Sequence, residues 1–208
     1  MGWWRERVVP RIVDSALSTS EVRRFRERVC AGLAGDVLEI GFGSGLNLAH
    51  YPPGVSGVWA IEPSDLAWQM AQPRIAAAGV PVQRAGLDGQ RLDLPDQRFD
   101  AALYTYTMCT IPDLDAALAE VLRVLRPGGT LHFVEHGRAP DPAVARWQDR
   151  LQPIQYRVAA GCHLDRPIAE HLRRSGLAPV ELDTFYAKGP KPFVFTYLGR
   201  ATALRSAA

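Results

Sequence analysis

Glu39-Ile40-Gly41-Phe42-Gly43-Ser44-Gly45 decides how this chain of 208 residues is read. The glycines close a short apolar strand, Val37 to Gly41, and precede Leu46 to Tyr51, a short helix stopped by Pro52-Pro53-Gly54. Glycine lets the backbone turn sharply and come close to a ligand, with the N–H groups of a helix start beyond it. Alone, such a loop is equally well a tight turn. Its context adds weight: the next apolar strand, Val58 to Ile61, ends in Glu62, a carboxylate placed to accept hydrogen bonds from two ribose hydroxyls.

Outward from this loop, apolar periodicity gives alternating elements. Val22, Phe25, Val29 and Leu33 share one face of a helix over Glu21 to Leu33, and Ser18 and Glu21 have capping-box spacing. Ser64 caps a helix running to about Ala78, bent by Pro73. Val80 to Ala85 and Phe99 to Tyr106 read as a third and a fourth strand. Leu114, Leu118, Val121, Leu122 and Leu125 form the stripe of a helix from Asp113 to Leu125, ended by Pro127-Gly128-Gly129. Thr130 to Glu135 is a fifth strand. Strands alternating with helices at this spacing predict a parallel sheet with right-handed crossovers.

After Gly137 the rhythm changes to helices over Asp141 to Leu164 and Arg166 to Gly176. Strands Val180 to Tyr186 and Phe193 to Leu198 then follow, joined by Ala187-Lys188-Gly189-Pro190. With no helix between them they pair antiparallel as neighbours, so the sheet is expected to end in a reversed C-terminal edge.

Composition bounds the function. Hydrophobic residues make up 47% and charged residues 22%, a globular balance. Lys+Arg 24 against Asp+Glu 22 argues against a chain that coats nucleic acid. No run approaches the ~20 apolar residues of a membrane span. The stretch from Met1 to Arg11 carries Trp3 and Trp4 but is broken by Arg5, Glu6, Arg7 and Pro10, unlike a signal peptide. Cys30, Cys109 and Cys162 are widely spaced, with no CxxC pair, which argues against a disulfide framework, a structural zinc site or any other metal. The chain therefore reads as a soluble, cytoplasmic monomer or homodimer. Trp3-Trp4 with Arg5, Arg7 and Arg11 leave peripheral membrane contact open.

Two nucleotide readings compete for the glycine loop. A dinucleotide fingerprint needs a third glycine at position 46, where Leu46 stands. Glu39 is unwelcome beside a pyrophosphate but welcome beside an ammonium or a sulfonium. The dehydrogenase reading loses.

The ordered set Glu39-x-Gly41-x-Gly43-x-Gly45, Glu62, Asp88, Leu92…Asp96…Phe99-Asp100 and Leu122-Arg123-x-Leu125-Arg126-Pro127-Gly128-Gly129 resembles the class I S-adenosylmethionine-dependent methyltransferases. The resemblance covers Asp36 to about Glu135. It implies an α/β, Rossmann-like three-layer sandwich on a seven-stranded, mostly parallel sheet, order 3-2-1-4-5-7-6 with the seventh strand antiparallel. It also implies a single methyltransferase domain: an N-terminal helical lid (1–34), a cofactor-binding core (35–137), a helical substrate cap (138–178) and a C-terminal strand pair (179–201).

By the same resemblance Gly41, Gly43 and Gly45 wrap the methionine part of S-adenosylmethionine, beside Glu39. Glu62, with Pro63 next to it, takes the ribose; Asp88 and Gly89 take the adenine; Thr107 lies near the methionine end. Phe42 departs from the small residue or cysteine commoner at its position.

Tyr51-Pro52-Pro53-Gly54, Glu135-His136, Trp147 and Gly161-Cys162 further resemble the branch that includes membrane-anchored alkyl thiol methyltransferases, although an apolar N-terminal anchor is lacking here. That branch implies a small-molecule acceptor, a thiol or sulfide. His136 is the general-base candidate, since an unperturbed imidazole titrates near physiological pH. Cys109, Glu135, Trp147 and His163 are candidates to line the acceptor site, the bland alternative for the cysteines being small buried hydrophobes. Two alternatives stay open: a lipid or quinone-like acceptor, and a non-catalytic cofactor-binding module.

Overall fold

Why seven short segments of this chain become one sheet is visible in β1 (Gly35–Ile40), whose side chains alternate between two buried layers. Leu38 and Ile40 point into one core, with Ile61, Leu118 and Phe133; Val37 points into the other, with Phe25, Val29 and Leu103. A strand buried on both faces reads as a continuous apolar run, as the central strands of parallel sheets do. The computed structural model describes residues 7–203, so Trp3 and Trp4 lie outside the described residues.

The elements run α1 (Val9–Ala16), α2 (Ser20–Cys30), β1, β2 (Val55–Ile61), α3 (Asp65–Ala76), β3 (Val82–Gly86), β4 (Phe99–Thr105), α4 (Leu114–Val124), β5 (Leu125–His136), α5 (Pro142–Val158), α6 (Ile168–Arg174), β6 (Leu177–Tyr186), α7 (Lys191–Val194) and β7 (Phe195–Ala203). The strand order is β3-β2-β1-β4-β5-β7-β6. β1 to β5 are parallel where they pair, and β7 runs antiparallel to both β5 and β6. This is the order the resemblance implied. The simpler expectation of a reversed edge needs correction: the reversed strand, β7, is inserted one place in, and β6 forms the edge.

Several boundaries move for local reasons. Thr19, not Ser18, caps α2, accepting from the Val22 N–H at 3.3 Å, while the Ser18 hydroxyl donates back to Asp14 O. Of the helix expected after Gly45, only a single turn at Leu48–His50 forms. Ser64 and Asp113 cap α3 and α4 through the Ala67 and Ala116 N–H groups. β5 begins before Pro127-Gly128-Gly129, since Leu125 already pairs with Phe99, and regular pairing resumes at Thr130.

The helix expected to Leu164 stops at Val158, where Ala160 (φ 55°) and Gly161 (φ 91°) turn left-handed. Tertiary partners take over the freed N–H groups: His163 donates to Cys109 O at 2.8 Å and Leu164 to Gln152 Oε1 at 2.7 Å. The helix expected from Arg166 starts only at Ile168, after Pro167. Among the described residues no helix is long and apolar enough to cross a membrane.

Candidate functional site

The carboxyl ends of β1, β2 and β4 open into a cavity of about 540 Å³, where ligands gather in open α/β sheets. Its size suits a small organic ligand. Gly41 to Ser44 of the glycine loop, Glu62 to Ser64, Leu87 to Gln90 and Thr105 to Thr107 line it, with Val9 and Val13 of α1 and Leu17 just beyond it, whereas Gly45 lines the neighbouring cleft. A cleft of about 710 Å³ lies beside it, lined by Arg23, Glu27, His50 and Ala77. That cleft flanks the helices instead of the strand ends.

Gly41, Gly43 and Gly45 all have positive φ. At Gly41 the requirement is twofold, because a Cβ there would stand 2.1 Å from Thr107 Oγ1. The loop is thereby pressed against the segment after β4, leaving backbone as the cavity surface. Phe42 fills the layer between loop and α3, its ring 5.5 Å from that of Trp68. Pro63 and Gly89 also line the cavity.

Glu62 is buried, and backbone donors fix its carboxylate: Gly43 N–H to Oε2 and Ser64 N–H to Oε1, each at 2.7 Å. Burial nevertheless raises its pKa. A carboxylate has about four acceptor sites, so two stay available to hydroxyls from the cavity. Asp88 lines the cavity while its Oδ1 accepts from Gln90 N–H at 2.9 Å, the turn-capping role an Asp-Gly pair fills readily.

Glu39 is placed differently from the expectation. It is fully buried behind the lining, where its carboxylate accepts from Asn47 Nδ2 at 2.7 Å and from the Tyr51 hydroxyl. Burial pushes its pKa up to about 7 against those hydrogen bonds and the nearby Arg26. The group that does reach the cavity is Arg26 on α2. Its Nη1 donates to Asn47 Oδ1 at 2.6 Å and Thr105 Oγ1 at 3.1 Å, and its buried Nε has no partner among the described residues. Desolvation lowers its pKa. Sequence reasoning missed Arg26. The signal was its place on the inward stripe with Val22, Phe25 and Val29, where a guanidinium needs a reason.

Asp14 was missed as well. It accepts from the Ser44 hydroxyl and faces Arg74 Nη1 at 3.3 Å, while Arg74 donates to Ser44 O at 2.9 Å. This network ties α1 across the glycine loop.

The acceptor-side candidates gather behind the cavity. Thr107 lines it, and its N–H donates to Glu135 Oε1 at 2.6 Å, as Met108 N–H does at 2.9 Å. Glu135 thus clamps the loop after β4 from a fully buried position, and burial pushes its pKa up to about 7. His136 is turned away from the cavity, its Nε2 lying 3.0 Å from Cys162 Sγ. Cys109 sits in the clamped loop, and His163 packs against Tyr156 and Gln152. Trp147 is not brought to this group: it is about half exposed on α5, beneath Arg150.

Comparison with known proteins follows the same outline. A family profile described as a methyltransferase domain matches residues 38–133. The chain is 31% identical over 176 residues to the thiol S-methyltransferase TMT1B of Rattus norvegicus, covering 78% of this chain and 66% of that protein. It thus spans just under two thirds of that relative. It is also 31% identical over 144 residues to the phosphatidylethanolamine N-methyltransferase of Cereibacter sphaeroides, covering 65% of this chain and 70% of the other. The solved structure of a SAM-dependent methyltransferase from Aquifex aeolicus superposes with a TM-score of 0.63 at 18% identity, over 92% of this chain and 97% of that one.

Proposed function

The chain belongs to the family of proteins built on a methyltransferase domain, and from that premise we propose that it binds S-adenosylmethionine and methylates a small-molecule acceptor, by preference a thiol or sulfide. The observation that carries the cofactor reading is the cavity at the strand ends, with a backbone wall that only glycine permits at Gly41 and a buried acid, Glu62, at its rim.

The residues fit the group. Gly41 and Gly43 present bare backbone to the amino-acid tail, and the guanidinium of Arg26, which lines the cavity, suits its carboxylate. The two open acceptor sites of Glu62 suit the ribose hydroxyls, with Pro63 beside them. Asp88 and Gly89 flank the adenine, and Thr107 borders the methionine end. Glu39 works one step back, holding Asn47 and through it Arg26.

When bound, the cofactor supplies an electrophilic methyl group. Transfer then depends on an acceptor held in line in a water-poor site, which the chain provides through α1 and the loop after β4. We assign residues 1–34 as lid, 35–137 as cofactor core, 138–178 as acceptor cap and 179–201 as the strand pair that closes the sheet. His136 is not assigned as the base, because its ring faces Cys162. A free thiol of pKa ~8.5 already offers a few per cent thiolate at neutral pH. The rate on small thiols should therefore rise with pH in step with the acceptor's own pKa.

The thiol preference rests on likeness to TMT1B. A lipid acceptor is the second reading, favoured by the likeness to the Cereibacter enzyme. S-Adenosylhomocysteine release across thiols, sulfide, phenols, amines and lipid head-group analogues, with Glu62→Ala as control, tests both. Turnover confined to thiols supports the first reading, turnover confined to lipid analogues replaces it with the second, and cofactor binding without turnover on any acceptor overturns catalysis.

A further inference from the structure

Three elements distant in sequence deliver metal-type donors to one point. Cys109 comes from the loop after β4, His136 from the last residue of β5, and Cys162 from the turn after α5. Their ligand atoms all lie within 4.8 Å of one another, with His136 Nε2 3.0 Å from Cys162 Sγ. From this convergence we propose that Cys109, His136 and Cys162 form a three-ligand site for a thiophilic d10 cation, Zn²⁺. This goes beyond methyl transfer and does not depend on the acceptor.

The donor set fits. Two sulfurs and an imidazole select zinc over magnesium, calcium or manganese, which prefer oxygen. Zn–S of about 2.3 Å and Zn–N of about 2.0–2.1 Å in a tetrahedron place ligand atoms about 3.5–3.8 Å apart. The His136–Cys162 pair at 3.0 Å lies a little inside that range, and no donor pair exceeds 4.8 Å, so small side-chain shifts would reach it. Three protein ligands leave one position for water, the arrangement of an open site.

The scaffold around the donors is fixed by bonds that do not use them. Glu135 holds the N–H groups of Thr107 and Met108; the guanidinium of Arg166 donates to Met108 O and to Ile111 O; His163 N–H closes on Cys109 O. His136 Nδ1 is buried without a partner among the described residues, so only the Cys162 thiol at Nε2 bears on its tautomer. A cation on Nε2 would fix it, with the proton on Nδ1. Binding would release up to two thiol protons to solvent. It would also join two cavity walls, because Thr107 and Thr110 flank Cys109 while Ala159 and Ala160 closely precede Cys162.

Full-length protein, reduced and then freed of reductant, would be titrated with Zn²⁺ against a chromophoric chelator. One equivalent should bind. Cys109→Ser, Cys162→Ser and His136→Ala should each weaken binding by more than the about 10–100-fold that loss of an outer-shell partner costs. Cys30→Ser should not. Co²⁺ should give the visible bands of a tetrahedral thiolate site, lost in the same variants. Should those variants fold poorly, the wild-type chain still decides: Zn²⁺ must slow alkylation of Cys109 and Cys162, mapped by peptide mass, without protecting Cys30. Absence of stoichiometric binding, equal binding by all variants, or a Cys109–Cys162 disulfide whose reduction yields no zinc affinity would each overturn the site. None of these readouts needs methyl transfer, so the zinc site and the methyltransferase reading stand or fall separately.

Discussion

At the residue scale, Gly41 carries the sharpest steric demand in the cavity. A methyl group there would meet Thr107 Oγ1 at 2.1 Å, at a φ of 74° that side chains rarely adopt. Gly41→Ala should therefore cost more than about 1 kcal/mol of stability and abolish cofactor binding. Calorimetric binding together with a melting curve would show it, and near-normal affinity would refute the steric argument. Glu39 gives a second prediction. Its pKa, pushed up to about 7 in the folded chain, compares with about 4.3 unfolded. The folded state thus binds the proton more tightly between those values, so this group's contribution to stability is full below about pH 4, falls as pH rises to about 7 and is flat above. Glu39→Gln should flatten that decline. Denaturant midpoints measured from about pH 5 to 8 test it, and parallel profiles for the two proteins would count against the assignment.

At the scale of elements, α1 is held over the glycine loop by Asp14, Ser44 and Arg74. The pair is partly solvated, so Asp14→Ala should cost only about 0–1 kcal/mol of global stability. Its larger effect should fall on the lid: faster amide exchange in Val9–Ala16 and faster cofactor release. Unchanged exchange there would show that α1 is held by its apolar side alone. α5 shows the converse, since its end is set by tertiary partners. Ala160 and Gly161 turn out of the helix because the backbone of His163 and Leu164 bonds to Cys109 and Gln152. No periodicity between Asp141 and Leu164 could announce that stop.

At the scale of the whole molecule, stability lies in the two cores on either side of the sheet. Phe133, fully buried on β5, packs in the cluster of Leu38, Tyr104, Leu118 and Leu172. Phe133→Ala should cost about 3–5 kcal/mol. At about 2–4 °C per kcal/mol for a chain of this size, that lowers the melting temperature by roughly 6–20 °C. A drop of a degree or two would mean that the core relaxes around the gap. The order of the last strands also belongs to this scale. Adjacency in sequence dictates that β6 and β7 pair antiparallel, but not which of them meets β5. In the fold it is β7, its Phe195 paired with Tyr186 and its Thr196 with His136.

By itself the sequence determined the alternation of elements, the turn at Gly41 to Gly45 and the acid closing β2, because these depend on periods and dihedral preferances acting over a few residues. Only the tertiary structure decided which groups face the cavity. It turned Glu39 inward to Asn47 and Tyr51, brought Arg26 out to the site in its place, and gathered Cys109, His136 and Cys162 from three elements into one cluster. Such placements depend on packing between segments far apart in the chain, and local spacing carries no record of them.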